Sequence, residues 1–408
     1  MLKALNKADI CFNWAGLMLA MGRYTASAAL LIALCGHSLP ASAQDAPYGS
    51  VEDLGKALFF DVNLSRNRTQ ACATCHAPDA GFADPRGNGF EGPVSRAVSL
   101  GDDGQSIGDR NAPTASYARY SPVFHRQDDG SYIGGLFLDG REKDLEGQAG
   151  GPPLNPSEMG MQGKAEVVAR LQENADYIAA FKAYFADDLF DDVDAAFAAM
   201  TQSIAAFERT DELSPFDSRY DRYLKGEARF NDQEELGRVL FFSQQFTNCN
   251  LCHQLQKIPG AAEETFSNYQ YHNIGTPVNV AVRSANGSGE KFADLGLLAN
   301  PEVSDPKQAG KFKVPTLRNV AVTGPYMHNG IFEDLRTVVQ FYNRYNSDAP
   351  SAQINPETGK PWGETEFKNT LSVKELTTGP ALDDQRVDAL VSFLKTLTDA
   401  RYEHLLDD

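Results

Sequence analysis

Spare cysteine is what this sequence lacks. It has six cysteines in 408 residues, and Cys11 and Cys35 fall in an N-terminal stretch with the marks of an export signal. The other four, Cys72, Cys75, Cys249 and Cys252, form two Cys-x-x-Cys pairs, which leaves none for a structural disulfide elsewhere. Long hydrophobic runs are missing too. The apolar stretch "ASAALLIALCG" that follows Arg23 is shorter than a membrane span requires. With the small residues of "ASAQ" after it, this stretch predicts a signal peptide over residues 1–43, cut after Ala43. A lipoprotein anchor at Cys35 is the alternative, for which Leu34 is a poor preceding residue. Basic residues are also in deficit, 37 against 55 acidic ones. The predicted signal carries Lys3, Lys7 and Arg23 against Asp9, so its removal takes the net charge from −18 to −20. A surface this acidic argues against nucleic acid and suits a soluble partner with a basic face. No alternating run is long enough to predict a sheet.

What the sequence does have is "ACATCHAPD" at residues 71–79 and "NCNLCHQLQ" at residues 248–256. In an exported chain, Cys-x-x-Cys-His predicts c-type haem attachment. Two thiols at this spacing can form thioethers to the two vinyl groups of one haem. The next residue can then turn its imidazole onto the iron, which makes His76 and His253 the proximal ligands. A zinc site and a redox disulfide are the alternatives. Zinc requires a tetrahedral set that an adjacent Cys and His rarely supply together. A thioredoxin-like site sits in a βαβ setting, which neither motif has.

The chain repeats itself around these motifs. "EDLGKALFF" precedes the first and "EELGRVLFF" the second, while "APTASYARYSPVFH" is echoed by "VPTLRNVAVTGPYMH". Asp139-Gly140 and Asp144-Leu145 return as Asn329-Gly330 and Asp334-Leu335. Each half therefore predicts a helix entering the motif, a return segment and a closing helix. Apolar residues recur at helical spacing in "KAEVVARLQENADYIAAFKAYF" and "VDAAFAAMTQSIAAFERT". "ELTTGPALDDQRVDALVSFLKTLTDARY" predicts a turn and a terminal helix with Asp383 as N-cap. The charged stretch "TDELSPFDSRYDRYLKGEARFND", with Pro215 and Gly226, marks a junction between domains at 44–212 and 213–408. The Gly/Pro/Asn-rich region 259–310 is predicted to be mostly loop. The expected fold is all-α: two cytochrome c-like domains, each carrying one covalent haem c.

These residues resemble the bacterial di-haem cytochrome c peroxidases, including their MauG-like branch. The resemblance covers nearly the whole chain after the signal. It rests on both haem motifs and on "RNAPT", "FLDGREKDLEGQAGGPPLNPSEMG", "YHNIGTP" and "FKVPTLRNVAVTGPYMHNG". It implies that the N-terminal haem is the peroxide site and that the C-terminal haem receives electrons from a donor. It also implies Glu158 as the distal acid/base and Gln148 as its polar neighbour. A carboxylate at the open iron face suits the transfer of a proton from the inner to the outer peroxide oxygen. Outside that context Glu158 is a solvated loop glutamate and Gln148 a bridge in a polar turn. The resemblance further implies a calcium ion between the haems, held by the Asn111 side chain and the carbonyls of Lys313 and Pro315. Hard oxygen ligands suit Ca²⁺, although the same segments serve equally as haem-packing turns. The implied partners are hydrogen peroxide and a small electron donor, a monohaem cytochrome c or a cupredoxin. A homodimer is compatible with the resemblance.

Three positions depart from the pattern of many members. A capping histidine is missing from the loop "LGDDGQSIGDRNAPT", which has Asp109 and belongs to a stretch without histidine between His76 and His125. This predicts an open, five-coordinate N-terminal haem, as in the MauG-like branch. Leu138 stands where relatives place a tryptophan between the haems, which predicts weaker coupling. Tyr342, in "LRTVVQFYNRY", stands where many members use methionine on the far side of the second haem, and the MauG-like branch uses tyrosine there. Met327 is the other candidate ligand, and a tyrosine in an apolar helix is ordinarily core. The expected function is periplasmic reduction of hydrogen peroxide to water with electrons from a small redox protein. The alternatives are a MauG-like enzyme that oxidises residues of a partner protein and a non-enzymatic di-haem electron carrier.

Overall fold

Ser50 starts the first helix, Val51–Phe59, its side chain accepting a bond from the Asp53 N–H. One face of that helix, Leu54, Leu58 and Phe59, is fully buried. It packs against Val193–Glu208, which is capped by Asp192. The second half repeats the arrangement: Asp232–Phe242, opened by an Asn231/Glu234 capping box, packs against Asp384–Lys395. Asp383 caps this last helix by accepting from the Arg386 N–H, as expected. The computed structural model describes residues 46–256, 260, 262–289 and 291–406. The predicted signal peptide, with Cys11 and Cys35, lies outside the described residues.

A glycine sits at each helix crossing. A Cβ on Gly55 would lie 1.7 Å from the Ser203 carbonyl oxygen, and one on Gly237 would lie 1.9 Å from that of Ala389. Helix propensity alone predicts that Gly55→Ala stabilises by about 1 kcal/mol. The backbone clash reverses that sign, and overpacking typically costs about 1–3 kcal/mol. Gly55→Ala should therefore lower the denaturant midpoint. A midpoint equal to or above that of the parent would show that the helices do not cross this closely.

Two large apolar clusters follow the chain, one of residues between Leu54 and Leu213, the other of residues between Tyr220 and Leu397. A smaller cluster joins Phe124 to Tyr271, Leu297 and Val303. The duplication extends to backbone angles. Phe82 and Phe266 have φ of 53° and 56°, Tyr117 and Asn319 61° and 62°, and Phe137 and Met327 57° and 71°. Left-handed conformations are unfavourable for the aromatic and methionine side chains among these, so their pairwise recurrence marks a tertiary demand that local preference does not explain. One residue serves both copies: buried Asp399 accepts from the Tyr117 hydroxyl at 2.5 Å and from Asn319 Nδ2 at 2.8 Å.

Helix is the predominant regular structure, with few strands, and this modifies the all-α expectation. Three antiparallel two-residue ribbons occur among the described residues: His125–Arg126 with Tyr132–Ile133, Tyr271–His272 with Phe312–Lys313, and Ile354–Asn355 with Lys360–Pro361. Strands this short leave no periodic trace in sequence. The helical stretch from Lys164 is broken into Lys164–Leu171 and Ala175–Tyr184, because Asn174 caps the second piece by accepting from the Asp176 N–H. Among the described residues of 259–310, loop predominates around one α-helix, Val280–Ala285, and two 3₁₀ turns, Leu297–Ala299 and Pro306–Gln308.

Candidate functional site

Each Cys-x-x-Cys-His motif forms a tight turn. The first is the short helix Cys72–Cys75, and the second is a 3₁₀ turn, Cys249–Leu251. In both, the histidine N–H donates to the carbonyl of the first cysteine, at 2.9 Å for His76 and 2.9 Å for His253. The imidazoles are anchored alike. His76 Nδ1 is 3.2 Å from the Phe82 carbonyl oxygen, and His253 Nδ1 is 3.1 Å from that of Phe266. A carbonyl can only accept, so Nδ1 carries the proton and Nε2 keeps its lone pair free for a metal. The left-handed turns at Phe82 and Phe266 present these carbonyls. Burial lowers both imidazole pKa values, that of His253 to about 4, and keeps the rings neutral near pH 7.

The thiols distinguish the alternatives. All four are free. Burial raises their pKa values, to about 11 for Cys75 and about 12 for Cys252. A reactive redox pair has at least one depressed thiol, the opposite of what stands here. Paired free thiols beside an anchored histidine fit a covalent haem. Beside the second motif a largely apolar cavity of about 350 Å³ opens, lined by Cys249, Cys252 and His253 and by residues of both halves.

Tyr342, on the helix Leu335–Asn343, lines that cavity, as does Met327. Burial raises the phenol pKa of Tyr342, and the charges of Cys252 and Cys249 raise it further, which places the ring within electrostatic reach of both thiols. Leu138 lines the same cavity, and its carbonyl accepts from the Lys313 N–H at 2.9 Å.

Glu158 lies on the turn after the helix Leu145–Leu154 and acts electrostatically on Cys72 and Cys75. Burial raises the pKa of its carboxyl group. The Asn155 amide, which donates to Oε1 at 2.7 Å, and Arg141 oppose that rise. The side chain is half-buried rather than fully solvated. The Glu158 carbonyl accepts from the Asp102 N–H at 2.7 Å, which ties this turn to the loop that lacks the histidine. Asp102 in turn takes hydrogen bonds from Ser65 Oγ at 2.7 Å and Thr69 Oγ1 at 2.6 Å. Gln148 is half-buried on the same helix that leads to Glu158.

Asn111, Lys313 and Pro315 all line the large cavity. The Asn111 amide donates to the Ala97 carbonyl at 3.1 Å, and the Lys313 ammonium donates to Ser121 Oγ at 3.2 Å and to the Gly135 carbonyl. Burial brings the Lys313 ammonium down to about 7, against the pull of Asp139. Sequence reasoning missed the ion-pair network beside these residues. Arg110 bonds Asp139 at 2.7 Å and Asp294 at 2.6 Å, and both carboxylates are buried. The Arg of "RNAPT" and the Asp of "FLDG" were visible, but their pairing crosses the fold. His328 stacks on Phe312 at 3.7 Å between ring centroids, and His272 Nδ1 is 3.2 Å from Ser372 Oγ. Neither arrangement resembles the anchoring of His76 and His253.

Residues 50–229 match the family model described as di-haem cytochrome c peroxidase. The chain is 55% identical over 355 residues to the methylamine utilization protein MauG of Paracoccus denitrificans, a match that covers 87% of this chain and 90% of that protein. It is 31% identical to the cytochrome c peroxidase Ccp of Escherichia coli over 72% of this chain and 52% of that one. The solved di-haem peroxidase BthA of Burkholderia thailandensis superposes with a TM-score of 0.73 at 31% identity, covering 88% of each chain. The repeated thiol pairs, the matched imidazole anchors and these similarities lead to one conclusion: the chain belongs to the di-haem cytochrome c peroxidase family, among its MauG-like members.

Proposed function

We propose that this chain is a periplasmic di-haem peroxidase that reduces hydrogen peroxide to water. Cys72, Cys75 and His76 would hold one haem c in the domain at 44–212, and Cys249, Cys252 and His253 the other in the domain at 213–408, with Tyr342 as a further residue that would bind the second iron. Bound there, the haems would supply the one-electron redox chemistry that peroxide reduction requires. The observation that supports the reading is the half-buried carboxyl group of Glu158, whose charge acts on the thiols of the first motif. Glu158 accepts the proton of the inner peroxide oxygen and returns it to the outer one as the O–O bond breaks. Asn155 fixes the direction of its carboxylate. Two electrons and two protons convert one peroxide to two waters, the electrons arriving from a small basic-faced redox protein. Asn111, Lys313 and Pro315 would hold a calcium ion between the haems.

The 55% identity to MauG favours a second reading, in which the electrons come from residues of a partner protein. Steady-state turnover separates the two. The first reading expects sustained peroxide consumption with a reduced monohaem cytochrome or cupredoxin. Negligible turnover with such donors, together with peroxide-dependent modification of a copurifying protein, would replace it with the second. Failure of the purified protein to react with peroxide at all would leave only an electron carrier.

A further inference from the structure

The two halves differ in charge at a buried position on their crossing helices. The crossing glycines set the register: Gly55 meets Ser203 and Gly237 meets Ala389. Counting on from these contacts, Glu208 corresponds to Leu394. Leu394 is 7% exposed and lines the cavity of the second half. Glu208 is 6% exposed, and its Oε2 is buried without a hydrogen-bond partner among the described residues. A carboxylate in that position would lack the bonds that make a buried charge tolerable, so the group rests as a neutral acid. Burial pushes it up to about 8.

The group also acts electrostatically on the first motif. After burial, Glu208 is the largest influence on the Cys72 thiol. The other charges that act on it are Arg209, its neighbour in sequence, and Glu146 from the helix Leu145–Leu154. Those two are bonded to each other at 2.7 Å. From the helix Val51–Phe59, Lys56 turns to Glu212 at 2.6 Å instead.

We propose that Glu208 is a redox-linked proton site of the first haem, holding its proton while that haem is reduced and releasing it when the haem is oxidised. The proposal rests on the attachment of a haem at Cys72 and Cys75. Oxidation adds one positive charge to the haem, and in a poorly polarisable interior a nearby carboxylate is favoured by that charge. The balance is one electron and one proton. The electron leaves to the oxidant, peroxide in turnover or a mediator in a titration. The Glu208 O–H bond breaks, its electron pair stays on the carboxylate, and the proton passes to solvent; reduction reverses each step. Leu394 gives the second haem no such group.

Potentiometric titration of the holoprotein between pH 6 and 9, followed optically for each haem, tests this. In the parent protein the midpoint of the first haem should fall as pH rises. The limit is a tenfold change in equilibrium per pH unit, about 59 mV for one electron. Glu208→Gln and Glu208→Leu should flatten that dependence and leave the second haem unchanged. The leucine copies the residue already accommodated at position 394. Parent-like slopes in variants carrying both haems would overturn the proposal, as would a pH-independent first haem in the parent. Loss of the first haem from both variants, seen as a mass one haem short, would make Glu208 a folding residue and overturn it equally. Parent protein without haem on Cys72 and Cys75 would instead defeat the attachment reading, and the same mass measurement tells the two apart.

Discussion

Replacing Glu158 by glutamine is expected to slow the reaction with hydrogen peroxide by roughly 10²–10⁴-fold, the usual scale of positioned acid–base help. The amide keeps the shape and can still meet Asn155, which bonds Oε1 at 2.7 Å in the parent. It cannot carry a proton from one peroxide oxygen to the other. The pH profile gives an independent check. Burial raises the Glu158 pKa, so the acid persists above the ordinary carboxylate range. The proton-accepting form therefore accumulates only as pH rises through that elevated value, and the rate should rise with it. In Glu158→Gln this inflection should vanish. Stopped-flow mixing with peroxide measures both effects. A glutamine variant with both haems and a near-parent rate would remove Glu158 from the proton path.

Tyr342→Phe is expected to abolish the low-spin signature of the second haem completely. The phenylalanine preserves the ring, which packs edge-on to Phe341 at 5.8 Å between centroids, and removes only the oxygen proposed as a ligand. Tyr342 shares the cavity wall with Cys249, Cys252 and His253, and its buried hydroxyl is raised away from ionisation until a cation compensates the charge. Iron is such a cation. In the parent, electron paramagnetic resonance should show one high-spin and one low-spin ferric centre, and in the variant the low-spin signal should be gone. An unchanged low-spin spectrum in Tyr342→Phe would hand the position to another residue, with Met327 first in line because it lines the same cavity.

Much of this site was legible along the chain because its chemistry is local. Two thiols and a histidine within five residues need only one turn of backbone to face one cofactor, and the repeat of that turn announced two. The entering helices were legible through the repeat, and others through their period and, for the last, its cap Asp383. The ribbon pairing Tyr271–His272 with Phe312–Lys313 did not, since two-residue strands carry no pattern and their partners lie far apart in sequence. Leu138 and Tyr342 were visible only as departures from relatives. That Leu138, Tyr342 and His253 line one cavity came from the fold.

By itself the sequence determined the number and place of the cysteine–histidine motifs, the duplicated order of elements and the acidic surface. Each follows from residue identity and short-range spacing. The tertiary structure alone decided that Phe82 and Phe266 would turn left-handed to hold the two imidazoles, and that Asp399 would bind Tyr117 and Asn319 at once. It also decided that Glu208 would be buried unpaired where the other half has Leu394. Desolvation and hydrogen-bond satisfaction depend on what other parts of the chain place around a group, and residues hundreds of positions apart supply those surroundings only once the helices have crossed.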